Sequence, residues 1–428
     1  MRTRSHLLPI LNGVARLLPR RLGTDGALVA QARALAGPDE GDLATALAKL
    51  LHACAAEADL SEFGCLALHW DISRLLTNLA RLRDEESRAP DIRAEAIAAP
   101  LVVTGLPRSG TTFLHSLLAE DPASQALRCW QAVYPYPDAG AAEDGSRRAR
   151  RVAWQLRSFA MLAPDFRSVH PLDGRSPQEC TELTAHVFQS LRFDTTHHVP
   201  SYRQWLDTHG HLPAYRFHRR FLQHLQHQGD ARRWVLKSPD HVFALDALHA
   251  AYPDARVVFV HRDPLKILPS VASLTEVLRA PFTRATDRRQ IGRQVLRDWR
   301  LGAVRMMAAS RHWGFGSPTP FHVHYADIVA RPVETIGRLY RHFDMRLDDA
   351  AAARMSRLAA SRPRGGYGRN VYRAAEYGFD PEALRHIFAD YVAHFGIAEE
   401  TPARPSAETS EGGRFWTARL PPRAAARP

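Results

Sequence analysis

The run Leu101-Val102-Val103-Thr104-Gly105-Leu106-Pro107-Arg108-Ser109-Gly110-Thr111-Thr112-Phe113-Leu114-His115-Ser116-Leu117-Leu118 constrains the fold more than any other part of the chain. A short apolar, β-branched stretch without alternation reads as a strand buried on both faces, and the glycine-bearing loop after it leads into an apolar-periodic helix. Trp234-Val235-Leu236 and Arg256-Val257-Val258-Phe259-Val260 have the same strand character between helical segments. Strands alternating with helices imply an α/β fold, a doubly wound parallel sheet flanked by helices. Ahead of it, Leu43, Leu47, Leu50 and Leu51, then Leu68, Ile72, Leu75, Leu76 and Leu79, recur at helical spacing and predict an N-terminal helical region over 1–95. The charged, Ala/Pro-punctuated stretch 83–100 marks a boundary. The main domain is therefore placed at 96–400 and a flexible C-terminal tail, rich in Pro, Ala, Arg, Ser and Gly, at 401–428.

The loop after the first strand turns backbone N–H groups and a helix N-terminus toward an anion, which suits a phosphate. Its Gly105-to-Gly110 spacing is that of the Walker A loop, so the sheet is P-loop-like, but Thr111 stands where the lysine belongs and the loop's cation is Arg108. Without that lysine the loop is poorly built for nucleoside triphosphate hydrolysis. Taken alone, the segment also reads as a glycine turn with Thr111 or Thr112 capping the helix. The net charge of +12, from 57 Lys plus Arg against 45 Asp plus Glu, also invites an anionic partner. Only Lys49, Lys237 and Lys266 are lysines and the arginines are spread among alanines, which argues against nucleic acid and an acidic membrane and leaves most arginines on solvated faces.

A second anion site is read at 256–271, where a strand ends at Arg262, Pro264 opens a helix and Ser270 lies on its second turn. Arg262 and Ser270 could clamp one phosphate; a strand-end ion pair with Asp263 and an ordinary helix serine is the plainer alternative.

Together these segments resemble the sulfotransferases that use 3′-phosphoadenosine 5′-phosphosulfate (PAPS), in the bacterial-type branch whose loop carries Arg rather than Lys. The resemblance covers about residues 96–397 and rests also on His170-Pro171, Ser176-Pro177-Gln178-Glu179-Cys180, Tyr202 to Leu206, Leu236-Lys237-Ser238-Pro239 with His241, and Tyr325-Ala326-Asp327. It implies that Pro107, Arg108, Ser109, Gly110, Thr111 and Thr112 hold the 5′-phosphosulfate and that Arg262 and Ser270 hold the 3′-phosphate. It further implies that Tyr325 lies near the nucleoside and that the loop Arg364 to Arg369, with Arg369, closes over the 3′-phosphate. The product would be 3′-phosphoadenosine 5′-phosphate.

Sulfuryl transfer asks for positioning and charge stabilisation more than covalent chemistry. Arg108 and Lys237 are the candidate cations for the leaving oxygen, and no metal is expected. Glu179 is the first candidate for the base that takes the acceptor's proton. Ser176-Pro177-Gln178-Glu179 equally matches a helix capping box, and Glu182 is the reserve. His241, near a helix start predicted at Ser238-Pro239, is the competing base; its spacing from Lys237 is two residues longer than the Lys-x-His of the cytosolic enzymes. The acceptor, a small molecule, lipid or carbohydrate offering a hydroxyl or amine, is expected against Asp165 to Tyr215, which holds Phe188, Phe193, Tyr202, Trp205, His197 and His198. Two other readings stand beside this one, a P-loop-type kinase or NTPase with a degenerate loop and a non-catalytic nucleotide-binding regulator.

Cys54, Cys65, Cys129 and Cys180 lie at wide spacings that suggest neither zinc nor disulfides. The start Met1-Arg2-Thr3-Arg4 with Leu7 to Leu11 is interrupted by Pro9, Asn12 and Arg16, and no apolar run is long enough for a transmembrane segment. The expected location is cytoplasmic, and a homodimer is compatible with this reading.

Overall fold

Five parallel strands form one sheet: β1 (Leu101–Gly105), β2 (Ser124–Ala126), β3 (Arg233–Lys237), β4 (Arg256–His261) and β5 (Phe321–His324). Their order is β2-β3-β1-β4-β5. The structure is a computed structural model and describes residues 5–17, 25–37, 42–137, 145–166, 172–311, 313, 317–362 and 374–400. Residues 1–398 make one compact unit. The tail expected at 401–428, the loop Arg364 to Arg369 and the pair His170-Pro171 lie outside the described residues.

Side chains alternate between two cores, as the pleat requires. Leu101, Val103, Val235, Val258 and Val260 face a core completed by Phe113, Leu114, Leu117 and Leu339. Val102, Leu236, Val257 and Phe259 face the other, together with Leu47, Leu50, Ile72, Leu75 and Leu79 from the N-terminal helices. Burial on both faces is why the three central strands are continuous apolar runs, each buried Leu or Val contributing about 1.5–3 kcal/mol. β2 and β5 give no such run, because Ser124, Gln125, His322 and His324 sit on the two edge strands, where one side stays open.

The N-terminal helices Leu43–Glu57 and Glu62–Arg88 begin where the sequence supplies caps. Asp42 Oδ1 accepts from Thr45 N at 2.9 Å and Ser61 Oγ accepts from Gly64 N at 3.1 Å. Two shorter helices, Leu7–Leu17 and Asp25–Ala34, precede them.

Because β1 lies between β3 and β4, the C-terminal ends of all three strands open onto one crevice, the usual place for a ligand in such a sheet. Segments about 150 residues apart in sequence thereby become neighbours. The close approach is set by Gly105, whose φ is +143° and where an added Cβ would lie 2.4 Å from the Val260 carbonyl oxygen. Gly105→Ala is expected to lower stability by about 2–3 kcal/mol, read as a reduced midpoint of thermal unfolding.

Candidate functional site

The loop 106–110 joins β1 to the helix Thr111–Leu118. Two of its residues, Arg108 at φ +64° and Gly110 at φ +96°, are left-handed. For Arg108 that conformation costs about 1–2 kcal/mol and needs support from its surroundings. Arg262 Nη1 donates to the Arg108 carbonyl at 2.9 Å, Arg108 Nε donates to Ser270 Oγ at 3.1 Å, and Ser109 Oγ donates to the Leu106 carbonyl at 2.6 Å. Gly110 stands at the helix N-cap position with no side-chain cap, so the loop amides and the positive helix end face the crevice. An added Cβ at Gly110 would lie 2.7 Å from Tyr325 Cδ2, which keeps the loop pressed against that ring.

Arg262 follows β4, and its guanidinium lies over the Tyr325 ring at 3.9 Å from the centroid. Asp263 Oδ1 accepts from Leu265 N at 2.8 Å and caps the helix Pro264–Arg279, which carries Ser270. Arg108, Arg262, Ser270 and Tyr325 thus form one cluster over the loop.

Lys237 ends β3 with its side chain only 2% exposed. Its ammonium pairs with Glu179 Oε1 and donates to Thr112 Oγ1 at 3.3 Å. Glu179 reaches it from the position just before Cys180, the N-cap of the short helix Thr181–Thr184, with Glu182 N donating to the Glu179 carbonyl at 3.4 Å. Gln178 N donates to Leu127 O at 2.8 Å and Cys180 N to Lys237 O at 3.0 Å, and the following helix begins at Thr181. The capping-box alternative therefore fails. Ser176 and Asp173 satisfy each other instead, Ser176 N donating to Asp173 Oδ1 at 2.9 Å and Asp173 N to Ser176 Oγ at 3.0 Å.

Glu182, on the crevice wall, is held by Arg74 at 2.6 Å and Arg192 at 3.2 Å. Both guanidiniums also bind Asp71, at 2.7 and 2.5 Å. Burial alone would raise the Asp71 carboxyl; Arg192 and Arg74 override it and hold the group well below the usual carboxylate range.

His241 lies apart from this cluster. Ser238 caps the short 3₁₀ turn Pro239–Phe243, which faces Asp240 to the crevice and His241 to the core. There His241 Nδ1 pairs with the Tyr215 hydroxyl, and burial first, then His218 and Lys237, hold its pKa well below the ordinary value. It borders a separate cavity of about 20 Å³ and does not line the main cleft. The residue expected as the competing base is thus turned toward the core by this turn, away from the main cleft.

The main cleft, about 490 Å³, is lined by Arg108, Thr111, Thr112, Glu179, Arg262, Ser270 and Tyr325 at one end. Phe166, Leu172, Leu274, Leu278 and Trp299 give it an apolar wall, and Asp194, Arg203, Arg279, Gln294 and Asp298 a polar one. Gln294 Nε2 donates to Asp194 Oδ2 at 2.8 Å and Arg279 Nη2 to Gln294 Oε1 at 2.9 Å. Burial and then Asp298 push the Asp194 carboxyl up to about 6. Segment 165–215 does line the cleft, but through Phe166, Arg192, Asp194 and Arg203; Phe188, Phe193 and Tyr202 are fully packed in the core. Asp327 is bound to Arg338 at 3.1 Å and Arg331 at 3.4 Å and does not line the cleft.

Asp240 is a cleft residue that motif reading passed over, although it lies three residues after Lys237. Burial, then the nearby Glu179, push its carboxyl up to about 7. Among the described residues no group of His, Cys, Asp and Glu is arranged to hold a metal, and no helix is long and apolar enough to cross a membrane.

A model of the sulfotransferase family matches residues 100–349. The chain is 24% identical over 272 residues to the omega-hydroxy-beta-dihydromenaquinone-9 sulfotransferase Stf3 of Mycobacterium bovis and of Mycobacterium tuberculosis, covering 59% of this chain. The matched region spans 65% of the length of those relatives. Among solved structures it resembles sulfotransferase STF1 of Mycobacterium tuberculosis H37Rv, with 32% identity, a TM-score of 0.74 and coverage of 87% of this chain and 100% of that one. Sulfotransferase STF9 of Mycobacterium avium matches with 26% identity, a TM-score of 0.77 and coverage of 89% and 98%.

A carboxyl whose pKa is raised from 3.8 to about 7 holds its proton more firmly when folded, so its contribution is fully present below about pH 4 and lost as pH rises toward 7. Asp240→Asn should therefore raise stability more at pH 8 than at pH 4, by about 2 kcal/mol or more, measured by urea unfolding at the two pH values.

Proposed function

The chain belongs to the sulfotransferase family, and from that premise we propose that it moves the sulfuryl group of PAPS to the hydroxyl of an acceptor with an apolar body. The observation that carries the reading is the double engagement of Lys237, which touches the phosphate-type loop at Thr112 and the carboxylate of Glu179. One ammonium thus stands between a site for the leaving group and a site for the acceptor's proton.

The residues suit a bisphosphate. Arg108, Arg262, Ser270, Thr111 and Thr112 are all donors, gathered where Gly110 lets the loop close on Tyr325. In this reading residues 107–112 hold the 5′-phosphosulfate, Arg262 and Ser270 hold the 3′-phosphate, and Tyr325 supports Arg262. The donor, when bound, supplies an activated sulfuryl group. Glu179 accepts the hydroxyl proton as the acceptor oxygen bonds to sulfur, while Lys237 and Arg108 face the phosphate oxygen that gains charge as the S–O bond breaks. Glu179 is preferred as base because Glu182 is bound by two guanidiniums and His241 is outside the cleft. No metal enters this arrangement.

The apolar wall of the cleft supports an acceptor with a hydrocarbon or aromatic body, and the Stf3 relatives are named for a hydroxylated menaquinone. The proposed location is the cytoplasm, in keeping with four cysteines at wide sequence spacings that suggest no disulfide framework.

Titration calorimetry with 3′-phosphoadenosine 5′-phosphate tests the donor. Arg108→Ala and Arg262→Ala should each weaken binding about 10-fold or more, the loss of a charge-assisted contact. Preferential binding of Mg·ATP would contradict the assignment. Glu179→Gln should keep the bisphosphate affinity and lose transfer of ³⁵S from labelled donor by about 10²–10⁴. Tight bisphosphate binding with no transfer to any acceptor mixture would favour a regulator.

A further inference from the structure

The helix Gly145–Leu162 has no acidic residue and five arginines, one of which, Arg148, is buried. At 3.6 residues per turn, Arg147, Arg150, Arg151, Trp154, Arg157 and Met161 fall on one side of it, and all six are exposed. Trp154 is 67% exposed and Met161 58%. The helix is pinned from its other side, where Arg148 Nη1 donates to the carbonyls of Tyr134 and Pro135 at 2.9 and 2.6 Å and Val152 enters a small apolar core. Its outward side is thus a fixed band of guanidiniums with an indole and a thioether between them. The helix Leu7–Leu17, which packs against it, adds exposed Leu7, Ile10 and Val14.

A solvated helix face has no use for a two-thirds exposed tryptophan flanked by cations. Large apolar side chains among arginines on one helix face match the boundary of an anionic bilayer, where arginines meet headgroups and the amphipathic indole sits at their level. We propose that this face docks the protein on an anionic lipid surface. The sequence reading against an acidic membrane is reversed here, because the helix gathers these arginines on one side. The same helix ends beside the cleft: Phe159 packs edge-on to Phe166 at 4.8 Å between centroids, and Phe166 lines the apolar wall. Docking would bring that wall toward the bilayer and let a lipid-dissolved hydroxyl acceptor enter without crossing water. This purpose rests on the function proposed above; the docking surface does not.

The test is co-sedimentation of the full chain with vesicles of phosphatidylcholine alone and of phosphatidylcholine mixed with an equal amount of phosphatidylglycerol. The expected result is binding to the mixed vesicles that falls about fivefold for each arginine removed in Arg147→Ala and Arg157→Ala. Trp154→Ala should weaken it further. Unchanged circular dichroism and unchanged affinity for 3′-phosphoadenosine 5′-phosphate in the variants separate lost docking from lost folding or lost donor binding. A chain that stays in the supernatant with both vesicles overturns the proposal, as do variants that sediment like the parent. A dimer dispersed by Trp154→Ala in a chain that ignores vesicles would assign the face to self-association instead.

Discussion

Burying the Lys237 ammonium at the end of a central strand costs several kcal/mol unless a partner of opposite charge and further polar contacts are held in place. That requirement shapes the surrounding chain. Glu179 must reach the end of β3, so the chain before the helix Thr181–Thr184 is tied alongside that strand end, with Cys180 N bonded to the Lys237 carbonyl. Thr112 must sit within reach from the other side, which the short loop after β1 secures by delivering its helix beside β3. The same pair thereby brings a cation, a carboxylate and the segment after β1 to a single point.

A second ionic arrangement ties the N-terminal helices to this site. Arg74 on the helix Glu62–Arg88 binds Asp71 on its own helix and Glu182 on the cleft wall, and Arg192 closes the ring through the same two carboxylates. Removing one member would strand a buried charge, so the four groups hold one arrangement of the helix against the cleft wall. The helices are consequently part of the wall's support, a role that their apolar periodicity did not reveal.

How much was legible in the sequence follows from the kind of interaction. β1, β3 and β4 were legible because burial on both faces writes an uninterrupted apolar run, whereas β2 and β5 are short edge strands with polar residues. That Arg108, Arg262 and Ser270 stand near strand ends was legible because strand-end loops carry their residues locally, and the structure gathers the three at the cleft; Lys237 stood out because lysine is scarce in this chain. Asp240, Arg192, Asp194 and Arg203 were not, since each takes its meaning from partners on other elements. His241 and the aromatics of 165–215 were misread for a related reason. Residue type marks them as reactive or adhesive, but backbone rotation decides whether they meet the cleft or the core.

In the proposed function the segments that follow β1 and β4, neighbours in the sheet, grip opposite ends of one bisphosphate. A crystal structure of the complex with 3′-phosphoadenosine 5′-phosphate tests this most directly. The 5′-phosphate is expected on the amides of residues 107–112 near Lys237, and the 3′-phosphate on Arg262 and Ser270. A nucleotide bound with its phosphates reversed, or away from both segments, would contradict it.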